Sequence, residues 1–92
     1  MFYAIGSSNI ERRKRLVYRS VHRGCKEMDI LLGSFALNYV HLLSDDKVAK
    51  YEEIVELDDA LLYSYVVGAL PVPSNIDGEL MELISNYASR KE

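Results

Sequence analysis

Between residues 28 and 42 apolar side chains return every three or four positions: Met28, Leu31, Leu32, Phe35, Tyr39 and Leu42. That spacing puts all six on one broad face of a helix, whereas a strand would need alternation at every residue. It predicts a helix over about 26–42 with these six side chains in the core. Ile30, Gly33 and Leu37 form a second, narrower stripe on nearly the opposite side. A helix apolar on two sides is either central in its domain or carries an exposed contact patch.

The rest of the chain is punctuated into segments of the same kind. Ser8 and Glu11 make an S-x-x-E capping box, which predicts a first helix over about 9–21. On its wheel Ile10, Val17 and Val21 share one face, and Arg12, Arg15 and Arg19 the opposite one. Gly24 then ends or turns the chain. Ser44, Asp45 and Asp46 read as an N-cap and two acids in the positive field of a first turn. Val48, Tyr51, Ile54 and Val55 supply the inward face of that third helix. Asp58 and Asp59 separate it from a fourth, with Leu62, Tyr65, Val66 and Ala69 at helical spacing. The segment "LLYSYVV" is also rich in strand formers, so a strand competes most closely over 60–69. Gly68, Pro71 and Pro73 stop this element. Asn75 or Asp77 caps a fifth helix lined by Leu80, Met81, Ile84 and Tyr87. The expected fold is all-α: residues 1–92 as a single domain, a five-helix bundle over about 9–88 with a short N-terminal head and C-terminal tail. With 92 residues the core is modest, burying roughly 60–65% of the unfolded surface. A binding surface suits such a chain better than a carved substrate pocket.

Charge is unevenly placed. The net value is −3, yet residues 11–26 hold seven cations and one acid, while residues 45–59 hold seven acids and two lysines. This predicts one basic and one acidic face. The stripe Arg12, Arg15 and Arg19 is therefore weighed against phosphates, as in a nucleic-acid-binding or antitoxin-like regulatory protein. The acidic total and the lack of interleaved aromatics place that reading second, and no nucleic-acid partner is expected.

Self-contained chemistry finds little footing. His22 and His41 are far apart in sequence and Cys25 is the single cysteine, so no metal-ligand spacing arises. Cys25 lies beside Lys26 near a helix start, where a reactive thiol could be weighed, but no second group offers itself as a base. The acid pairs Asp45/Asp46 and Asp58/Asp59 are accounted for as helix caps. No phosphate-binding glycine loop is present. The expectation is no catalytic residue, no bound metal and no cofactor held by the chain itself. One cysteine also excludes an intramolecular disulfide and suggests an intracellular protein. No apolar run approaches the ~20 residues of a membrane span. The head "MFYAIG" has neither the basic start nor the length of a signal peptide, and no Arg-rich leader precedes the first helix.

One stretch resists these explanations, "VHRGCKEMDILLGSF" over residues 21–35. Helix capping accounts for Gly24 and Glu27 separately but leaves Arg23 idle. A joint reading makes Arg23 and Glu27 a polarised knob, with Gly24 allowing another protein's backbone to approach closely.

The stretch resembles the R-G-x-x-E motif and following apolar helix of the SdhE-type family, FAD assembly factors of succinate dehydrogenase, with the motif on Arg23, Gly24 and Glu27. Residues 42–66, "LLSDDKVAKYEEIVELDDALLYSYV", are similar to the family's acid-capped third helix and its D-D-x-x-L fourth helix. The likeness covers about residues 9–88. Tyr65 stands where many members carry tryptophan, which keeps an aromatic ring but puts in doubt any contact needing an indole. The resemblance implies a five-helix bundle that binds the flavoprotein subunit of succinate dehydrogenase, or of fumarate reductase. It implies a chaperone that promotes covalent attachment of FAD to a histidine of that client, the FAD being on the client. Arg23, Gly24 and Glu27 are then expected on the client-binding face, with Lys26, Asp29 and Arg19 beside them. A monomer when free, without membrane insertion, is expected. A bacterial cytoplasmic location is expected ahead of a mitochondrial matrix one.

Overall fold

A computed structural model describes the backbone of residues 2–91 and the side chains of residues 9–89. Five α-helices appear among the described residues: α1 (Phe2–Val21), α2 (Lys26–Tyr39), α3 (Asp45–Val55), α4 (Asp59–Val66) and α5 (Gly78–Lys91). A short 3-10 turn, Val40–Leu42, extends α2, and no strand occurs among the described residues. The contested segment is therefore helical through Val66 and turns over 67–69. The expected all-α five-helix bundle is the observed architecture.

Local chemistry sets most of the boundaries. Ser44 accepts the backbone N–H of Lys47, Asp58 that of Leu61, and Asp77 that of Leu80, so α3, α4 and α5 each open on a side-chain cap. Gly68, at φ +80°, lets the chain leave α4 through a conformation that other residues resist. The first helix departs from expectation. It begins at Phe2 and runs through Ser8, so the S-x-x-E pattern lies inside a helix and there is no non-helical head over 2–8. Serine in a helix interior costs only a few tenths of a kcal/mol, too little to force a start there.

One core joins all five helices. Leu16 comes from α1; Met28, Leu32, Phe35 and Ala36 from α2; Val48, Tyr51, Ile54 and Val55 from α3; Leu62 and Val66 from α4; and Leu80, Met81 and Ile84 from α5. Leu31, Tyr39, Tyr65 and Tyr87 pack against it half-buried. Leu42, expected inside, is 68% exposed, because the chain tightens from α-helix to 3-10 turn at Val40 and its side chains fall out of the α2 register. Ala69 is likewise exposed, lying beyond the end of α4.

The outer stripe of α2 splits in two. Ile30 and Leu37 are well exposed, whereas Gly33 is buried against the end of α1. A Cβ at Gly33 would stand 3.1 Å from the Cα of Val21. The glycine therefore sets how closely α1 and α2 approach, and these two helices form the most extensive pairing in the molecule. On the other side of α1, Leu16 and Ser20 turn toward α3 and are fully buried. There the Ser20 hydroxyl donates to the Leu16 carbonyl and lies 2.6 Å from the Tyr51 phenol.

The expected basic and acidic faces do not exist as separate surfaces. Arg12 pairs with Glu52, Arg13 with Asp45, Arg19 with Glu56 and Arg23 with Asp59. The cationic run of α1 lies against the acidic segment of α3 and the start of α4, and the two neutralise each other across a helix interface.

Candidate functional site

The motif residues occupy the corner between α1 and α2. Gly24 sits there at φ +102°, a conformation that L side chains rarely adopt. Its α-carbon faces solvent, and a Cβ built on it would meet nothing within 4 Å. The corner is fixed from within by Asp29, whose Oδ1 accepts the backbone N–H groups of Arg23 at 2.5 Å and Gly24 at 3.1 Å. Cys25 precedes α2 in extended conformation without capping through its side chain, so Asp29 supplies the order that a cap residue would otherwise give. Lys26 and Glu27 follow in the first turn of α2, both exposed.

Arg23 is not a knob. Its side chain is 7% exposed and points into the molecule. Nε donates to Asp59 Oδ1 at 2.6 Å, Nη1 to the Val55 carbonyl at 2.7 Å, and Nη2 to the Leu57 carbonyl. These acceptors lie where α3 ends and α4 begins. A helix C-terminus leaves carbonyls without intrahelical partners and carries partial negative charge, so a guanidinium fits that corner. The pairing of Arg23 with Glu27 as one outward feature is thus corrected: only Glu27 looks out. Arg19 is also engaged, at 2.5 Å from Glu56, although its side chain remains accessible.

Beside Glu27 the surface is apolar. Ile30, Leu31, Tyr63, Val66, Val67 and Ala88, from α2, the α4 end and α5, line a shallow groove of about 340 Å³ with Glu27 on its rim. Ile30, Tyr63 and Val67 are each about half exposed. A patch of this kind, edged by charge, is what protein–protein contact surfaces look like. The α2 periodicity signalled Ile30, but the contribution of Tyr63 and Val67 depends on how α4 docks and was not readable in advance.

Chemistry of other kinds finds no gathered groups. No cluster of three or more His, Cys, Asp or Glu residues suited to a metal occurs among the described residues. His22 is exposed, with its ring 4.2 Å from that of Tyr18, and Cys25 is half-buried. No helix of the described residues is long and apolar enough to cross a membrane.

Comparison with known proteins covers most of the chain. Residues 14–88 match the model of a family described as flavinator of succinate dehydrogenase. A protein of Dictyostelium discoideum named succinate dehydrogenase assembly factor 2, mitochondrial, is 32% identical over 81 residues, covering 87% of this chain and 57% of that protein. Proteins of the same name from Drosophila grimshawi and Danio rerio are 32% and 29% identical over 83 residues, each covering 88% of this chain and 56% and 52% of theirs. The chain therefore spans little more than half the length of these relatives.

Proposed function

This chain belongs to the family of flavinators of succinate dehydrogenase, and on that premise we propose that it is an assembly factor. It binds the flavoprotein subunit of succinate dehydrogenase, or of fumarate reductase, and promotes covalent attachment of FAD to a histidine of that client. The observation that carries this reading is the join of family and geometry. The family match spans the α1–α2 corner, and that corner presents an unobstructed Gly24 backbone and an exposed Glu27 beside an apolar groove.

The chain's own part is recognition. A partner backbone can lie against Gly24, where no side chain intervenes; Glu27 and Lys26 offer one charge of each sign; the Ile30–Tyr63–Val67 groove offers apolar area to bury. Arg19 stays accessible at its pair with Glu56, at the end of α3, while Arg23 and Asp29 lie behind the Gly24 corner. Holding a client domain so that histidine and flavin meet lowers the barrier by proximity, without a catalytic group from this chain. The flavin and its accepting histidine belong to the client, and the factor holds no cofactor of its own and is a monomer when free. The relatives' names place them in mitochondria, which weighs toward the mitochondrial matrix and away from a bacterial cytoplasm. The phosphate-binding alternative is disfavoured, because Arg12 and Arg19 of its stripe are paired with glutamates.

Mixing the purified protein with the apo-flavoprotein subunit and FAD tests the reading. A complex on size exclusion and a rise in covalent flavin, read as fluorescence of the denatured subunit band, are expected. No complex and no change in covalent flavin would refute it.

A further inference from the structure

We propose that Arg23 and Asp29 are positioning residues: they hold the Gly24 corner from behind, while the client is met by the Gly24 backbone and Glu27. The assignment rests on the client-binding reading above, and it gives the two halves of the R-G-x-x-E motif different jobs.

The first ground is that the Arg23 side chain is turned inward, 7% exposed. Each nitrogen of its guanidinium is engaged inside the molecule, by Asp59 and by the carbonyls of Val55 and Leu57. The second ground is a repeat of the same device elsewhere. Arg13 donates to the carbonyls of Val40 and Leu43, at 2.6 and 2.8 Å, and to Asp45 Oδ1 at 3.1 Å. Asp45 is the first residue of α3, as Asp59 is the first residue of α4. Each arginine thus takes two carbonyls from the end of one helical segment and a carboxylate from the first turn of the next. The α2–α3 corner held by Arg13 contains no part of the motif, so the device is a way of bracing a helix corner, whatever else lies nearby.

Asp29 completes the brace. One carboxylate oxygen collects the N–H groups of Arg23 and Gly24, tying the corner to the first turn of α2 and hence to the direction in which Glu27 projects. Without it the corner samples more conformations, and a partner must pay to order it on binding.

The experiment compares Asp29→Asn, Asp29→Ala and Asp59→Ala with the parent, each shown by its thermal melt to be folded at the assay temperature. Affinity for the apo-flavoprotein subunit and amide hydrogen exchange at Gly24 in the free protein are both measured. Asparagine retains an acceptor oxygen, so Asp29→Asn is expected within about 3-fold of the parent affinity, with Gly24 exchange unchanged. Asp29→Ala is expected to weaken binding about 10-fold, equivalent to about 1.4 kcal/mol, and to speed Gly24 exchange. Asp59→Ala keeps Arg23 but loosens it, and is expected to weaken binding as well. The proposal is overturned if Asp59→Ala binds as tightly as the parent or more tightly, since a freed Arg23 would then be making the contact itself. It is equally overturned if Asp29→Ala leaves Gly24 exchange unchanged. Failure of the parent protein to bind the subunit would instead refute the function, and the exchange measurement would still decide whether Asp29 holds the corner.

Discussion

Arg12 and Glu52, 40 residues apart in the chain, meet as a two-pronged pair, Nε to Oε2 at 2.8 Å and Nη2 to Oε1 at 2.7 Å. The Arg12 hydrogen bond and charge hold the Glu52 carboxyl below its ordinary 4.5, and the same bond raises the guanidinium. Hydrogen bonds from Asn9 and Arg13 lower Asp45 below 3.8, and Lys47 lowers Asp77 in the same way. A carboxylate depressed in the folded state contributes stability that is present above its unfolded value and lost as pH falls through its folded one. The melting temperature should therefore hold steady over about pH 5–8 and decline on acidification past 4.5 and then 3.8, the unfolded values of Glu52 and of the two aspartates. Melts recorded across this range check it; a midpoint unchanged down to about pH 3 would mean these pairs contribute nothing.

Binding to generic nucleic acid should be absent or weak. The acids of α3 sit against the basic residues of α1; among the described residues, Lys14 and Arg15 stay well exposed and outside the ion pairs of this interface. Titration of duplex DNA and of RNA at two salt concentrations is the check. A complex at physiological ionic strength that falls away steeply with salt would restore the phosphate-binding reading.

Inside the core, burial pushes the Tyr51 phenol from 10.0 up to about 12, against the lowering effect of its bond with Ser20. The folded value lies above the unfolded one, so this contribution is whole below pH 10 and is lost as pH rises toward 12. Tyr51→Phe should cost about 1 kcal/mol at neutral pH and remove that alkaline step. Ser20→Ala should cost about 1–3 kcal/mol, because it strands a buried phenol. Urea unfolding at neutral and alkaline pH separates the two, and equal losses at every pH would contradict the assignment.

The two glycines of the α1–α2 pair should fail in opposite ways. Gly33→Ala brings a Cβ within 3.0 Å of Val21 Cγ2 and 3.1 Å of its Cα, and backbone cannot step aside cheaply. It should lose about 1–3 kcal/mol of stability by overpacking. A thermal melt checks this, and at temperatures where the variant stays folded it should still bind client.

Gly24→Arg should abolish client flavinylation while the bundle stays folded. Space around the position is open, so the penalty comes from the positive φ alone, about 1–2 kcal/mol. The added side chain and charge would stand where a partner backbone has to lie. Glu27→Ala should reduce flavinylation more mildly, removing one contact without a clash. Covalent flavin on the client, measured beside each variant's melt, decides this; full flavinylation with a parental melt would reduce Gly24 to a helix terminator.

Caps and apolar spacing made the helices legible, because both are local. Ser44, Asp58 and Asp77 announce their helices within three residues, and Val48, Tyr51, Ile54 and Val55 face the core as their spacing requires. What escaped was whatever depends on a neighbour. Leu16 is buried because α1 lies between two helices and so has a second inward face, whereas Ile10, on the wheel face shared with Val17 and Val21, is 54% exposed. Leu42 keeps the apolar spacing of α2 yet leaves the core, because a change of helix type leaves the residue pattern unaltered. The charge blocks were visible, but not that they would fold onto each other. Arg23 was unreadable for a further reason: two of its three acceptors are carbonyls, and carbonyls leave no mark in the alphabet of side chains.

The corner braces also bear on how such a chain can drift over generations. The carbonyls of Val55 and Leu57 are present whichever side chains occupy those positions, so the demand for a guanidinium at position 23 survives substitutions there. Asp59 supplies only the third acceptor. Replacement of Asp59 by asparagine should thus be tolerated in a lineage that keeps Arg23, whereas loss of Arg23 cannot be repaired by any single change at 55, 57 or 59. The inheritance is lopsided, with a guanidinium held at position 23 and only an acceptor oxygen asked of position 59, and paired exchange between 23 and 59 should be rare in this family.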